Sequence, residues 1–333
     1  MANLTSISCG QDTLLDLATC LNGFTVPKAA YTEQTYFDAQ PTEIEFGGWT
    51  QLVTSMLEGR CAIPDALEPF YNVAELVDNG QSYCVASERY TADAGYYAKG
   101  WGLFIVPLNT SESRHFHLSS PHPMFDFYEP DQAITLFQRS KARSLLISGR
   151  HRQALSLPTT CVPSTEVTTY WTTDPAHSVA EPFHAANVAI QAWQDAHGGC
   201  PLNQCAYIQL HGKASTTCSP IHFMISSGLG PADASWYTNT SLNLPASRLR
   251  TELQKSFPAY NVSLPSDTSC SLTATKNVFG RFLNGVHPSD LCTQAADVQS
   301  ATGRFVHVEQ AFEVTQADHY DGWVRALEAA FPL

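Results

Sequence analysis

The chain has 333 residues, of which 44% are hydrophobic and only 15% are charged. Disordered chains combine low hydrophobicity with high charge density, so this composition excludes disorder. No segment approaches the roughly 18 consecutive apolar residues that a membrane span needs, which predicts a soluble protein. The 31 acidic and 18 basic residues give a formal net charge of −13. Such a surface repels phosphate backbones and anionic lipids, so neither nucleic acid nor membrane is expected as a partner.

Ten cysteines are spread through the chain without a Cys-x-x-Cys pair. Structural zinc sites usually need close cysteine pairs, so five disulfides formed in an oxidising compartment are the preferred interpretation. The nearest pairings are Cys9 with Cys20 and Cys200 with Cys205 or Cys218, although spacing alone does not fix connectivity.

Four glycosylation sequons agree with secretion, and they lie at Asn3, Asn109, Asn239 and Asn261. The first nine residues lack the basic and apolar segments of a signal peptide. Either that peptide has been removed or the protein is not secreted. We expect a secreted, disulfide-bonded glycoprotein.

The first 95 residues are expected to form an irregular, disulfide-pinned region packed on the main domain, because Gly, Pro, Asn and Asp recur every few residues. Short helical patterns in this region cover residues 13–21, 49–57 and 66–77.

Residues 96–333 are expected to form one catalytic domain, in which short apolar runs alternate with longer helical patterns. Strands are predicted at residues 101–108, 114–118, 144–148, 206–210, 221–226 and 304–308. Helices are predicted at residues 130–143, 181–197, 246–257 and 316–331. This alternation predicts an α/β fold with a mostly parallel or mixed central sheet flanked by helices.

Several of the twelve histidines stand where a predicted strand ends. His122 follows HFHLSS, His151 follows LLISGR, His211 ends AYIQLH, and Glu309 follows His307 in FVHVEQ. Open α/β sheets bind their ligands at the carboxyl ends of the strands, where the loops diverge. We therefore expect these positions to meet in one site.

Two segments supply candidate ligands for a zinc-type ion. His122 and Asp126 are four residues apart around Pro123, which suits the first turn of a helix and would place both side chains on one side of it. His211 closes a strand and precedes Gly212. Because imidazole and carboxylate are zinc-type ligands, the sequence predicts a metal held by His122, Asp126 and His211. Buried, hydrogen-bonded histidines and a structural Asp126 are the alternative.

Other residues near the same strand ends are candidates for catalysis. The alternation in FVHVEQ places His307 and Glu309 on one face. Glu309 is the candidate general base, since a carboxylate beside a metal can accept a proton from water; a structural ion pair is the alternative. Arg150 and Arg152 could hold an anionic group or polarise a carbonyl, or could form a solvated basic turn.

A further set of histidines is expected to orient ligands or to contact the substrate, and it comprises His117, His151, His177 and His307. His177 and His184 are seven residues apart. Pro182 lies between them, so a loop followed by a helix is preferred to a single helix.

The order of these motifs resembles that of the zinc carboxypeptidase and N-formylglutamate amidohydrolase group of α/β hydrolases, over residues 100–315. The resemblance implies a first metal histidine and a nearby carboxylate, an arginine that binds substrate, a second metal histidine and a glutamate base. The matching positions are His122 with Asp126, Arg150 or Arg152, His211, and Glu309.

One position departs from the pattern of that group. Its first ligand pair is His-x-x-Glu, whereas here Phe125 occupies the position of the glutamate and Asp126 follows it. Glu129 or another histidine could replace Asp126 as a ligand.

These observations predict a secreted, metal-dependent hydrolase of an amide or ester bond, with one divalent ion, preferably zinc. The substrate would be a small molecule, a peptide or a saccharide. A metal-dependent phosphoesterase uses the same groups, and a copper oxidoreductase is a third enzyme class, although Met1 rather than histidine at the first position argues against an N-terminal copper site. The non-enzymatic alternative is a secreted binding or effector protein whose histidines are structural.

Overall fold

The computed structural model describes Cys9 and residues 12–90 and 95–333. Its α-helices are α1 (Leu14–Asn22), α2 (Glu33–Ala39), α3 (Glu43–Leu57), α4 (Glu129–Arg139), α5 (Pro182–Ala196), α6 (Ala234–Tyr237), α7 (Pro245–Ser256), α8 (Val278–Leu283) and α9 (Tyr320–Ala330). Its β-strands are β1 (Tyr71–Asp78), β2 (Gln81–Glu88), β3 (Leu103–Pro107), β4 (Arg114–Ser120), β5 (Ala142–Ile147), β6 (Ala206–Lys213), β7 (Phe223–Ser226), β8 (Val262–Ser263) and β9 (Phe305–Ala311).

The strands form one sheet in the order β1-β2-β3-β5-β4-β6-β9-β7-β8. The pairs β1–β2, β2–β3, β3–β5 and β7–β9 are antiparallel, whereas β4–β6, β6–β9 and β7–β8 are parallel. The predicted α/β fold with a mixed sheet flanked by helices is therefore confirmed.

The chain groups into two compact units with interleaved segments. The first unit comprises Met1–Ser111, Pro121–Phe125 and Ser144–His197. The second unit comprises Glu112–Ser120, Asp126–Arg143 and Gly198–Leu333. The predicted boundary between residues 95 and 96 falls inside the first unit.

The core of the first unit is aromatic. Trp49 of α3 packs on Tyr71 and Trp101, with ring centroids 5.2 and 6.3 Å away. The Trp49 indole also donates to the carbonyl of Pro182 at the start of α5, at 2.9 Å. A capping box between Thr42 and Glu45 starts α3, since each side chain bonds the backbone of the other. These contacts fix α3 and α5 against each other.

In the second unit, alternation along β6 and β9 places four aliphatic residues on one face and the candidate site residues on the other. Ile208 and Leu210 of β6 lie opposite Val306 and Val308 of β9, and all four are fully buried. The intervening residues point to the other face because successive side chains in a strand alternate. Gln209 and His211 of β6 therefore share this other face with His307 and Glu309 of β9.

The prediction of a helix over residues 66–77 is wrong. Tyr71–Asp78 is strand β1, and it pairs with β2 through a two-residue turn at Asn79 and Gly80. Both turn residues have positive φ, 48° and 78°, which is the Asn-Gly hairpin turn. Together with α1, α2 and α3, this hairpin makes the first 95 residues more regular than their composition predicts.

The first helical turn predicted around Pro123 is also wrong. Residues 121–128 form turns and bends, and α4 begins only at Glu129. Met124 and Tyr128 have φ of 64° and 63°, the left-handed region, which a continuing right-handed helix does not contain.

All ten cysteines are disulfide-bonded. Pairs within the first unit join Cys9 to Cys20 and Cys61 to Cys84. Pairs within the second unit are Cys200–Cys205 and Cys218–Cys270. Disulfides persist in oxidising compartments and suggest an extracellular protein. Within the described ranges, no helix combines the length and apolarity needed to cross a bilayer.

Candidate metal centre

The candidate site in the second unit is built on the parallel pair β6 and β9. His211 lies opposite Glu309, and Gln209 lies opposite His307. Both histidines are buried, each 4% exposed, and the Glu309 side chain is 14% exposed. Two buried imidazoles and a partly exposed carboxylate thus occupy the end of one sheet face, where the sequence places candidate ligands and the candidate base.

The side chains of His211, His307 and Glu309 converge. The two imidazole ring centroids are 4.5 Å apart, and His307 Nε2 lies 3.4 Å from Glu309 Oε1. One ligand atom from each of the three lies within 4.8 Å of the others. Among the described residues, the buried His307 Nδ1 has no hydrogen-bond partner. These three residues could hold a metal ion.

Asp126 approaches His211. Its Oδ2 lies 3.7 Å from His211 Nδ1, and both side chains are buried. Two ligands at about 2.0–2.1 Å from a tetrahedral zinc ion are roughly 3.4 Å apart, so this pair fits such an ion. Imidazole and carboxylate are also the donors that zinc accepts.

Gly212 explains how Asp126 can lie so close to β6. A Cβ atom at Gly212 would lie 3.2 Å from the Asp126 Cβ, which is tighter than almost all real Cβ contacts. A glycine after His211 therefore lets Asp126 pack directly over the strand.

In the first unit, His122 belongs to a network centred on Asp174. His122 Nε2 lies 3.1 Å from Asp174 Oδ1, His177 Nδ1 lies 3.1 Å from Oδ2, and Arg152 also donates to Oδ2. Asp174 is fully buried. Burial raises the pKa of its carboxyl, but Arg152, His177 and His122 outweigh this effect and hold the pKa well below its usual range.

Sequence reasoning missed Asp174. The available signal was the segment Thr-Asp-Pro-Ala-His, in which Asp174 lies three residues before His177. His177 lies in a turn before α5, which begins at Pro182. The preferred loop-then-helix interpretation of this segment is therefore correct.

The two candidate arginines have different surroundings in the first unit. Arg150 is fully buried; it donates to the carbonyls of Gly100 and Lys99 at 3.0 and 2.7 Å, and its Nε lies 3.4 Å from Glu181 Oε2. Arg152 is partly exposed, and its guanidinium also packs 4.9 Å from the ring centroid of Phe125. Arg150 thus braces the interior, whereas Arg152 retains access to solvent.

The remaining candidate histidines have other surroundings. His117 stacks on Tyr207 with ring centroids 5.2 Å apart. Tyr207 lies four residues before His211 on β6, or roughly 13 Å along the strand, so His117 is too distant to bind an ion at His211. In the first unit, His151 Nδ1 accepts from the Gln153 backbone at 2.9 Å, and burial lowers the pKa of His184 to about 4.

No protein-family model and no curated protein matches the chain. Among solved structures, it is similar to a metallo-carboxypeptidase from Burkholderia cenocepacia, with 10% identity and a TM-score of 0.33, over 87% of this chain and 68% of that one. It is also similar to a succinylglutamate desuccinylase from Vibrio parahaemolyticus, with 13% identity and a TM-score of 0.35, over 77% of this chain and 65% of that one.

Proposed function

We propose that the protein is a secreted, metal-dependent hydrolase of an amide or ester bond. The observation that carries this proposal is the convergence of Asp126, His211, His307 and Glu309 in the second unit. Buried polar groups are costly unless they are hydrogen-bonded or coordinate a metal. The site also lies at strand carboxyl ends, where α/β proteins bind ligands.

Asp126 and His211 are proposed as two metal ligands, and His122 as the third. His122 is only four residues before Asp126 in the chain. Its Nε2 faces the buried carboxylate of Asp174, as the outer nitrogen of a metal-binding histidine commonly faces a carboxylate. In this assignment His122 binds through Nδ1, and Asp174 is a positioning residue.

When bound, a zinc-type ion supplies Lewis acidity that polarises a carbonyl and makes water a stronger acid. Glu309 is the proposed general base: it accepts a proton from the attacking water and delivers it to the leaving group. Its partial exposure gives water access to the carboxylate. Arg152 is proposed to bind the anionic end of the substrate or the developing negative charge, with Arg150 as the second candidate.

A second possible ligand set for the same ion includes His307. In that arrangement His211, His307 and Glu309 bind the metal, and Glu309 does not serve as the base. The variant Glu309→Gln separates the two roles. As a base, Glu309 can be replaced with retention of the ion and a loss of activity of about 100-fold or more; as a ligand, its replacement removes the ion.

The proposal is tested with protein purified without chelators and assayed on amide, ester and phosphoester probes. We expect hydrolysis of an amide or ester probe that a chelator abolishes and added Zn²⁺ restores. The exposed His287→Ala variant is the matched control for His211→Ala. Chelator-resistant hydrolysis, or hydrolysis of the phosphoester probe alone, would contradict the proposal.

A further inference from the structure

Three aromatic side chains of the second unit are exposed together. Phe127 is 69% exposed, and Tyr128 and Phe312 are each 49% exposed. The Phe312 ring centroid lies 6.2 Å from that of Phe127, at an interplanar angle of 84°, and 5.8 Å from that of Tyr128. We call these three residues the aromatic patch. Contiguous exposed apolar side chains commonly mark a surface that binds something.

The aromatic patch adjoins the candidate metal centre at two points of the chain. Phe127 directly follows Asp126, and Phe312 directly follows the last residue of β9, three residues beyond Glu309. Three residues of extended chain span at most about 11 Å. The Cα atoms of Phe312 and Glu309 therefore lie at most about 11 Å apart, the length of a tripeptide.

Hydrogen bonds fix the backbone at two residues of the patch, Tyr128 and Phe312. Tyr128 has φ 63° and its carbonyl accepts from the Gln132 backbone at 2.9 Å. A left-handed conformation is unfavourable for tyrosine, and residues held in such conformations are concentrated at ligand-binding sites. The Phe312 carbonyl accepts from the side chains of Thr315 and Gln316, at 2.8 and 2.9 Å.

We infer that the aromatic patch binds an aromatic side chain of the substrate beside the bond that is cleaved. This inference rests on the proposed hydrolase function and names the substrate class. Phe127 and Phe312 form an edge-to-face pair, an arrangement that aromatic rings prefer. A third aromatic ring can pack against this pair in the same way.

Chemistry disfavours other occupants of the patch. Within it, the Tyr128 hydroxyl is the single polar group, so the patch offers few hydrogen bonds to the hydroxyls of a sugar. Glu313 follows Phe312, and Glu309 lies three residues before it, so an acidic side chain would be repelled. An apolar aromatic ring needs no hydrogen bonds and carries no charge, so neither effect disfavours its binding.

The test uses three probes, N-acetyl-Phe-Ala, N-acetyl-Ala-Phe and N-acetyl-Ala-Ala, with zinc-loaded protein. Burial of a phenylalanine side chain predicts that one phenylalanine probe exceeds the alanine probe by about tenfold or more in kcat/KM. In Phe127→Ala and Phe312→Ala, this advantage should fall to about threefold or less, mainly through KM. Phe37→Ala is the control, since Phe37 of the first unit is 74% exposed. Equal losses on all probes, or equal effects of Phe37→Ala, would overturn the inference.

Calorimetric binding of N-acetylphenylalanine amide and N-acetylalanine amide separates this inference from the proposed function. Tighter binding of the phenylalanine compound that is lost in Phe312→Ala supports the patch, even if no probe is hydrolysed and the hydrolase proposal fails. Hydrolysis without any preference for phenylalanine overturns the patch and leaves the hydrolase proposal standing. Absence of both hydrolysis and preference overturns both.

Discussion

Glu309 lies directly opposite His211 in the parallel pairing of β6 and β9. The register is fixed by the other face of the sheet, where the buried Leu210 lies opposite the buried Val308. A slip of one residue in either strand would move its aliphatic side chains to the face of the candidate site and its site residues to the opposite face. The hydrophobic pattern of the two strands therefore also sets the geometry of the candidate site.

Gly212→Ala is expected to weaken metal binding by about tenfold or more, because the new methyl group displaces Asp126 from His211. Gly230→Ala is the matched control, since a Cβ there meets its nearest neighbour at an ordinary 3.6 Å. Zinc affinities are measured by competition with a chelator of known affinity. An unchanged affinity in Gly212→Ala would contradict the expected displacement of Asp126.

Asp174→Asn is expected to lower zinc affinity about 10- to 100-fold, because the amide no longer orients His122 as the carboxylate does. It should also lower the free energy of unfolding by about 3 kcal/mol, since Arg152 loses a buried partner. Asp195→Asn, at an exposed position of α5, controls for the loss of one charge. Reduced stability with full zinc affinity would assign Asp174 a purely structural role.

Stability is expected to depend on pH through Glu88. This buried carboxyl accepts hydrogen bonds from the backbone of Lys99 and Gly100, and burial raises its pKa from 4.5 to about 7. Between these values the folded state binds more protons than the unfolded state, so the contribution to stability falls as pH rises from about 4.5 to about 7, by up to about 3 kcal/mol.

Urea unfolding of wild type, Glu88→Gln and Glu75→Gln at pH 5 and pH 8 measures this contribution. The decrease in unfolding free energy between the two pH values should be smaller in Glu88→Gln than in wild type. Glu75 is exposed on β1, so its variant should follow wild type. An identical pH dependence in all three proteins would contradict the raised pKa of Glu88.

Secretion predicts glycans at Asn109 and Asn239. Both side chains are exposed, and each Oδ1 accepts from the hydroxyl of its own sequon serine, Ser111 at 2.9 Å and Ser241 at 2.6 Å. Because both asparagines are exposed, a glycan attached at either one would not have to be buried. In protein secreted by a eukaryotic host, an endoglycosidase should reduce the mass, and Asn109→Gln and Asn239→Gln should each remove one glycan. Unmodified secreted protein would contradict this prediction.

The sequence predicts which strand ends carry residues of the candidate site, but it does not predict which of these residues contact each other. His211 and Glu309 were identifiable because each follows an apolar strand, but their pairing joins segments almost 100 residues apart. Spacing alone also did not distinguish Arg152, which is partly exposed, from Arg150, whose donors bind carbonyls of a distant loop. The buried role of Asp174 depends on the same kind of long-range contact.

The N-terminal region shows a different limit. Residues 66–77 carry apolar residues at spacings that suit a helix, yet β1 forms because the hairpin turn at Asn79 and Gly80 pairs it with β2. The turn signal was present in the sequence and outweighed the helical pattern. Local periodicity therefore predicted the wrong element where a strong turn signal pointed to the right one.

The proposed metal centre requires that His211 binds zinc. Wild type, His211→Ala and His287→Ala, purified without chelators and dialysed against buffered Zn²⁺, are compared by elemental analysis. We expect about one ion per chain in wild type and His287→Ala, and less than about a tenth of that in His211→Ala. No stoichiometric ion in wild type, or a full complement in His211→Ala, would contradict it.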